Sequence, residues 1–138
     1  MPLYNNTVAP IAAANKSRVN TSETTTSAAY VGLTTAQTVT VNVPASGSVV
    51  IFLSSYASNN TAGVSCYASV ALSGANTLAA SDANGTEYIT SDANYRDRRS
   101  VATVLTGLTP GSTTFTMQFR TGTGTATFRD RELVVIPF

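Results

Sequence analysis

Two short clusters hold most of the charge on this chain, Arg96-Asp97-Arg98-Arg99 and Arg129-Asp130-Arg131-Glu132. Arginine beside carboxylate gives bidentate, charge-assisted pairs, so Arg96, Asp97, Arg99, Arg129, Asp130, Arg131 and Glu132 are candidates for reciprocal contacts between copies of a symmetric oligomer. Solvated rim salt bridges, each worth little, explain the same residues equally well. Acid chemistry is the other use of carboxylates, and Glu23, Asp82, Glu87, Asp92, Asp97, Asp130 and Glu132 suffice in number for a glycosidase-type pair. The flanking arginines, however, favour ionised acids over a protonated general acid. No histidine is present and Cys66 is the single cysteine, so a nucleophile–base pair has no base and zinc has only oxygen ligands. The sequence predicts no catalytic residues, no cofactor and no enzyme activity.

Two further groupings invite a binding reading. Ser-Asp-Ala-Asn occurs at residues 81 to 84 and again at 91 to 94, offering Asp82, Asn84, Asp92 and Asn94 as oxygen ligands for calcium. Asx residues that open turns account for the repeat without an ion, and that reading is preferred. Tyr30, Tyr56, Tyr67, Tyr88 and Tyr95 supply aromatic surface for a sugar, but they are spread over separate segments and fit core or interface packing as well.

The segments that carry these residues read as strands. Alternation over 24 to 33, then Val39, Val41 and Val43 before Pro44 and the turn ending at Gly47, suggest a hairpin leading into the apolar run 48 to 58. That run, with Val49, Val50, Ile51, Phe52 and Leu53, predicts a central strand covered on both faces. Cys66, Ala68, Val70 and Leu72 share one face of the next strand, and a short strand is expected over 77 to 80. Phe115, Met117 and Phe119 alternate with Thr114, Thr116 and Gln118 in the clearest half-buried strand. Strands over 100 to 106, 125 to 128 and 133 to 138 complete the set, the last two separated by the second charged cluster. No helical stripe appears. About 8 to 10 short strands with regular turns predict an all-β fold, an antiparallel two-sheet sandwich of jelly-roll type.

Composition narrows the partners. Charged residues make up 11 % of the 138, the net charge is +1, and no basic face is available for nucleic acid. Thr, Ser and Ala supply roughly two-fifths of the chain, a bias toward exposed extended structure. No apolar run approaches a bilayer span and no export signal is seen, so neither a membrane partner nor secretion is expected. Residues 1 to 23 show neither a period of 2 nor of 3.6 and are expected to be an extended N-terminal arm ahead of a sandwich domain at 24 to 138. Tyr4, Asn5, Pro10, Ile11, Lys16 and Arg18 are its candidate docking residues.

The runs Thr-Val-Thr-Val-Asn-Val-Pro-Ala-Ser-Gly (38 to 47), Leu-Thr-Gly-Leu-Thr-Pro-Gly-Ser-Thr-Thr-Phe (105 to 115) and Thr-Ala-Thr-Phe-Arg-Asp-Arg-Glu-Leu-Val-Val-Ile-Pro-Phe (125 to 138) resemble small β modules in virion proteins of tailed phages, notably those infecting actinobacteria. Such modules look like trimeric jelly rolls of the tumour-necrosis-factor or complement type. The resemblance spans about residues 24 to 138 and carries no catalytic residue. It implies a homotrimer in a virion assembled in the host cytoplasm. In the first version it is a capsid decoration or head-fibre protein whose arm grips the major capsid protein or another virion protein. In the alternative it is a tail-fibre or tail-tip component that binds host-surface glycan.

Overall fold

A computed structural model describes residues 15–138. Nine strands occur among them: β1 (Asn15–Val19), β2 (Glu23–Thr25), β3 (Thr38–Val43), β4 (Val49–Asn59), β5 (Ser65–Gly74), β6 (Thr86–Ile89), β7 (Asp97–Leu105), β8 (Gly111–Thr121) and β9 (Ala126–Pro137). A single 3₁₀ turn, Asp82–Asn84, precedes β6. One sheet runs β1-β9-β4-β7, with β2 also paired to β9, and the other runs β3-β8-β5-β6. All pairings are antiparallel. The two sheets stack over one core, which makes the chain an all-β jelly-roll sandwich, as the strand and turn pattern implies.

Period-2 patterning builds that core. Val39, Val41 and Val43 of β3, Cys66, Ala68, Val70 and Leu72 of β5, and Phe115, Met117 and Phe119 of β8 turn inward from one sheet, where they meet Ile51, Leu53, Phe128, Leu133 and Val135 of the other. Phe119 and Phe128 touch across the layers, with ring centroids 4.7 Å apart and tilted by 48°. The burial of Cys66 leaves it a reduced thiol in the core.

Five details depart from the sequence reading. The turn after Val43 does not make a hairpin: β3 pairs with β8 while β4 pairs with β7 and β9, so the chain crosses from one sheet to the other. Gly47 permits this crossing, because its φ is +65° and a Cβ there would lie 2.6 Å from the Leu108 carbonyl oxygen. Strand β4 is central but covered on one face only; Phe52 is 44 % exposed. Of the strand expected over 24 to 33, only Glu23–Thr25 and a lone bridge from Val31 to Phe119 form. The segment 77 to 80 likewise contributes just the bridge between Leu78 and Leu72.

The fifth departure is β9, which runs unbroken through the charged cluster instead of splitting around it. Ser54 faces Glu132 and Tyr56 faces Arg129, so two β9 residues oppose Ser55 alone, and Asp130 takes φ 47°. This is a β-bulge with aspartate in the left-handed position. It resets the side-chain parity, so Phe128 points inward before the bulge and Arg131, Leu133 and Val135 point inward after it.

Pairing reaches back past residue 24. Asn15 to Val19 lie against Val135 to Arg131, and Glu23 to Thr25 against Phe128 to Ala126, covering one edge of β9. Lys16 and Arg18 therefore belong to a sheet strand. Backbone pairing to β9 explains the order, since β1 has few apolar residues of its own to bury. The other expected docking residues, Tyr4, Asn5, Pro10 and Ile11, lie outside the described residues.

Candidate functional site

The open side of the β1-β9-β4-β7 sheet is graded in character. Register places Val104, Val50 and Ile136 in one row across β7, β4 and β9, and Ala102, Phe52 and Val134 in the next. Ser100, Ser54 and Glu132 follow, then Arg98, Tyr56 and Arg129. An apolar strip that the described residues leave uncovered thus lies in the middle of a sheet, with Phe52 44 % and Val104 57 % exposed. A shallow groove of about 330 Å³ runs beside it, between Phe52, Ser100, Ala102, Glu132 and Val134.

Cations gather at the polar end. Glu132 receives Lys16 at 3.1 Å, Arg98 at 3.9 Å and Arg18 at 4.0 Å. Arg98 and Arg129 both lie over the Tyr56 ring, at 5.5 and 5.3 Å from its centroid, and Arg98 donates to Ser54 Oγ. Arg129 also pairs with Asp130 at 3.4 Å. On this face Lys16, Arg18, Arg98 and Arg129 outnumber Glu132 and Asp130, leaving positive charge beside the apolar strip.

The candidate interface residues separate. Glu132, Arg129 and Asp130 sit on this face. Asp97 pairs with Arg99 at 3.2 Å at the start of β7, where Arg99 lies over the Tyr88 ring, and Arg96 is exposed in the preceding turn. Arg131 does not belong with them, because the bulge turns it inward and its exposure is 0 %. There its Nη2 donates to Glu23 Oε2 at 2.7 Å, and the guanidinium lies 5.5 Å from the Phe119 ring centroid. Burial alone would raise the Glu23 pKa, but hydrogen bonds from Thr35 and the Arg131 charge outweigh it and hold the carboxyl below its ordinary value. Gln37, fully buried, ties the same region together by donating to the carbonyls of Ser17 and Arg131.

A second cluster forms on the open side of the β3-β8-β5-β6 sheet. Arg120 of β8 donates through Nε and Nη2 to Asp82 at 3.1 and 2.5 Å. The Tyr30 hydroxyl donates to the same carboxylate at 2.7 Å. The Arg120 guanidinium stacks 3.6 Å from the Tyr67 ring centroid, and the Tyr67 hydroxyl donates to Glu87 at 2.9 Å. Hydrogen bonds from Arg120 and Tyr30 hold the Asp82 carboxyl below its usual range, whereas burial, then the Asp82 contact, pushes the Tyr30 phenol upward. Asp82 is thus occupied by Arg120, while Asp92 accepts from Ser91 and its carbonyl accepts from Tyr95 N–H. Among the described residues no group of three or more acidic, histidine or cysteine side chains is placed to hold a metal. No helix among them is long and apolar enough to cross a membrane.

Sequence reasoning passed over Gln37, the apolar strip and the pairing of Glu23 with Arg131. A signal for the strip existed: Val50 and Phe52 are apolar at the parity opposite to Val49, Ile51 and Leu53, as Val134 and Ile136 are opposite to Leu133 and Val135. Nothing local marks Glu23 as the partner of Arg131.

A two-sheet antiparallel jelly roll with two differentiated open faces is the class of protein that these strands define. The sequence matches no protein-family model and no curated protein. Among solved structures it is similar to Eiger TNF from S. frugiperda, at a TM-score of 0.60 and 11 % identity over 91 % of each chain. It is also similar to a chain in the structure of infectious bursal disease virus, Gt strain, at a TM-score of 0.53 and 12 % identity. That match covers 99 % of this chain and 35 % of the viral one, so the present chain spans about a third of it. These likenesses are of fold.

Proposed function

We propose that this chain is a structural, non-enzymatic component of a virion, built as a homotrimer through the open face of the β1-β9-β4-β7 sheet. The observation that carries the reading is the apolar strip of Val50, Phe52, Val104 and Val134 left uncovered at the centre of that sheet. A soluble monomer gains nothing from such a strip, whereas a second copy removes it from water at about 25 cal/mol per Å². The cationic end beside Glu132 then supplies ion pairs that set the register between copies. Sequence resemblance to tailed-phage virion modules and fold likeness to a TNF and to a chain of a virus structure support the same reading. The protein decorates the capsid or forms a head fibre, and the residues before β1 attach it to the major capsid protein or another virion protein.

Copy number in purified particles tests this role. Hundreds of copies are expected for a shell protein; absence from particles refutes the virion reading.

A second reading places the module on the tail as a fibre or tip component that binds host-surface carbohydrate. The aromatic and charged cluster around Arg120 favours it, and a count of a few sets of three copies would select it.

A further inference from the structure

Loop residue Tyr30, turn residue Asp82 and strand residues Tyr67, Glu87 and Arg120 converge on the open side of the β3-β8-β5-β6 sheet. Their polar groups are fixed by one another. Arg120 holds Asp82 through two donors while its guanidinium lies between Tyr67 and Tyr30, 3.6 and 5.4 Å from their ring centroids. Tyr67 and Ser65 hydroxyls both donate to Glu87 Oε1, at 2.9 and 2.8 Å. This network pins the Tyr30 loop and the Asp82 turn to the sheet. It also presents binding groups that are already immobilised, which lowers the entropy lost when a ligand arrives.

Several of those groups retain capacity. Arg120 Nη1 and Glu87 Oε2 have no partner among the described residues, and the Asp82 side chain is 56 % exposed. The chemistry of the set selects the ligand. An anion would meet two carboxylates against one guanidinium. A metal ion would have to compete with Arg120 for Asp82 and would find no third acid. An apolar ligand would strip water from Asp82, Glu87 and Arg120 without pairing them. A neutral polyhydroxylated ring fits, because its hydroxyls donate to the Asp82 and Glu87 carboxylates and accept from Arg120.

We propose that Tyr30, Tyr67, Asp82, Glu87 and Arg120 form a binding patch for a neutral sugar unit, on the sheet opposite to the one that carries the oligomer face. The proposal rests on the glycan-binding reading above and assigns it a place. A trimer would present three such patches, so weak single contacts gain avidity on a glycan-covered surface.

The test titrates glucose, galactose, mannose and N-acetylglucosamine, with their β-linked disaccharides, into the ¹⁵N-labelled full chain. Saturable amide shifts are expected around Tyr67, Asp82, Glu87 and Arg120 with at least one sugar. Glu87→Gln leaves the Arg120–Asp82 pair intact and is expected to weaken binding about tenfold, as loss of one charge-assisted hydrogen bond would. Asp82→Asn is expected to do the same, and Asp92→Asn in the exposed turn at 91 to 94 to change nothing. Saturable binding that both carboxylate variants leave intact would overturn this patch and keep the glycan reading. Absence of binding to every sugar would overturn both.

Discussion

Arg131 Nη2 donates to Glu23 Oε2 at 2.7 Å, joining the middle of β9 to the first residue of β2. Arg131 is wholly buried, and its Nε and Nη1 have no hydrogen-bond partner among the described residues. Glu23 is the carboxylate that pairs with it among the described residues. Taking that partner away leaves a guanidinium in the core without compensation, so Glu23→Gln is expected to cost about 3 kcal/mol. Urea unfolding at pH 7 measures it, and a cost below about 0.5 kcal/mol would show that water or another group compensates Arg131.

The same pair sets an acid dependence. The folded-state pKa of Glu23 lies below its unfolded value, so its contribution is complete above the unfolded pKa and is lost as pH falls through the folded one. Stability of the parent chain is expected to drop more steeply between about pH 5 and pH 3 than that of Glu23→Gln. Parallel pH profiles from urea melts would fail to separate if another carboxylate governs acid unfolding.

At the bulge, Asp130 occupies the left-handed region with φ 47°. Glycine takes that conformation without strain, so Asp130→Gly is expected to alter stability by less than about 0.5 kcal/mol, while Asp130→Val costs about 1–2 kcal/mol. Equal effects of the two in thermal or urea melts would show that backbone conformation is not what position 130 demands.

Phe52 lies at the centre of the open apolar strip, 44 % exposed. Phe52→Glu is expected to turn a species of three times the 14.3 kDa chain mass into monomer by light scattering, with a change in intrinsic stability within about 0.5 kcal/mol. A trimer that survives the substitution would move the interface elsewhere, and a monomeric parent would remove it.

Burial pushes the Cys66 thiol up to about 11. At pH 8 to 9 the folded chain is therefore expected to resist iodoacetamide and to react after addition of urea, a difference read by intact mass. Rapid modification without denaturant would mean that the interior opens around β5.

Strand identity came from short-range pattern. Val39, Val41 and Val43, Cys66 to Leu72, and Phe115, Met117 and Phe119 each alternate in a way that only a half-buried strand satisfies, and turn residues separate them. The sandwich class follows from that alternation. The lone cysteine and the lack of histidine follow from composition, and with them the expectation that this chain performs no nucleophilic or zinc chemistry.

Placement was decided by tertiary structure, because parity and pairing depend on residues far apart in the chain. The sequence around Arg129 to Glu132 does not reveal the bulge that sends Arg131 inward and leaves Arg129 and Glu132 outside. Nor does the 15 to 25 segment reveal its order, which comes from backbone bonds to β9 and from Glu23 meeting Arg131. Tyr30 and Tyr67 look scattered until Arg120 and Asp82 bring them to one sheet face. Local sequence encodes which face of each strand is apolar; whether a second apolar face is buried within the chain or left for a partner depends on what the folded chain packs against it, and in β4 the described residues leave Phe52 44 % exposed.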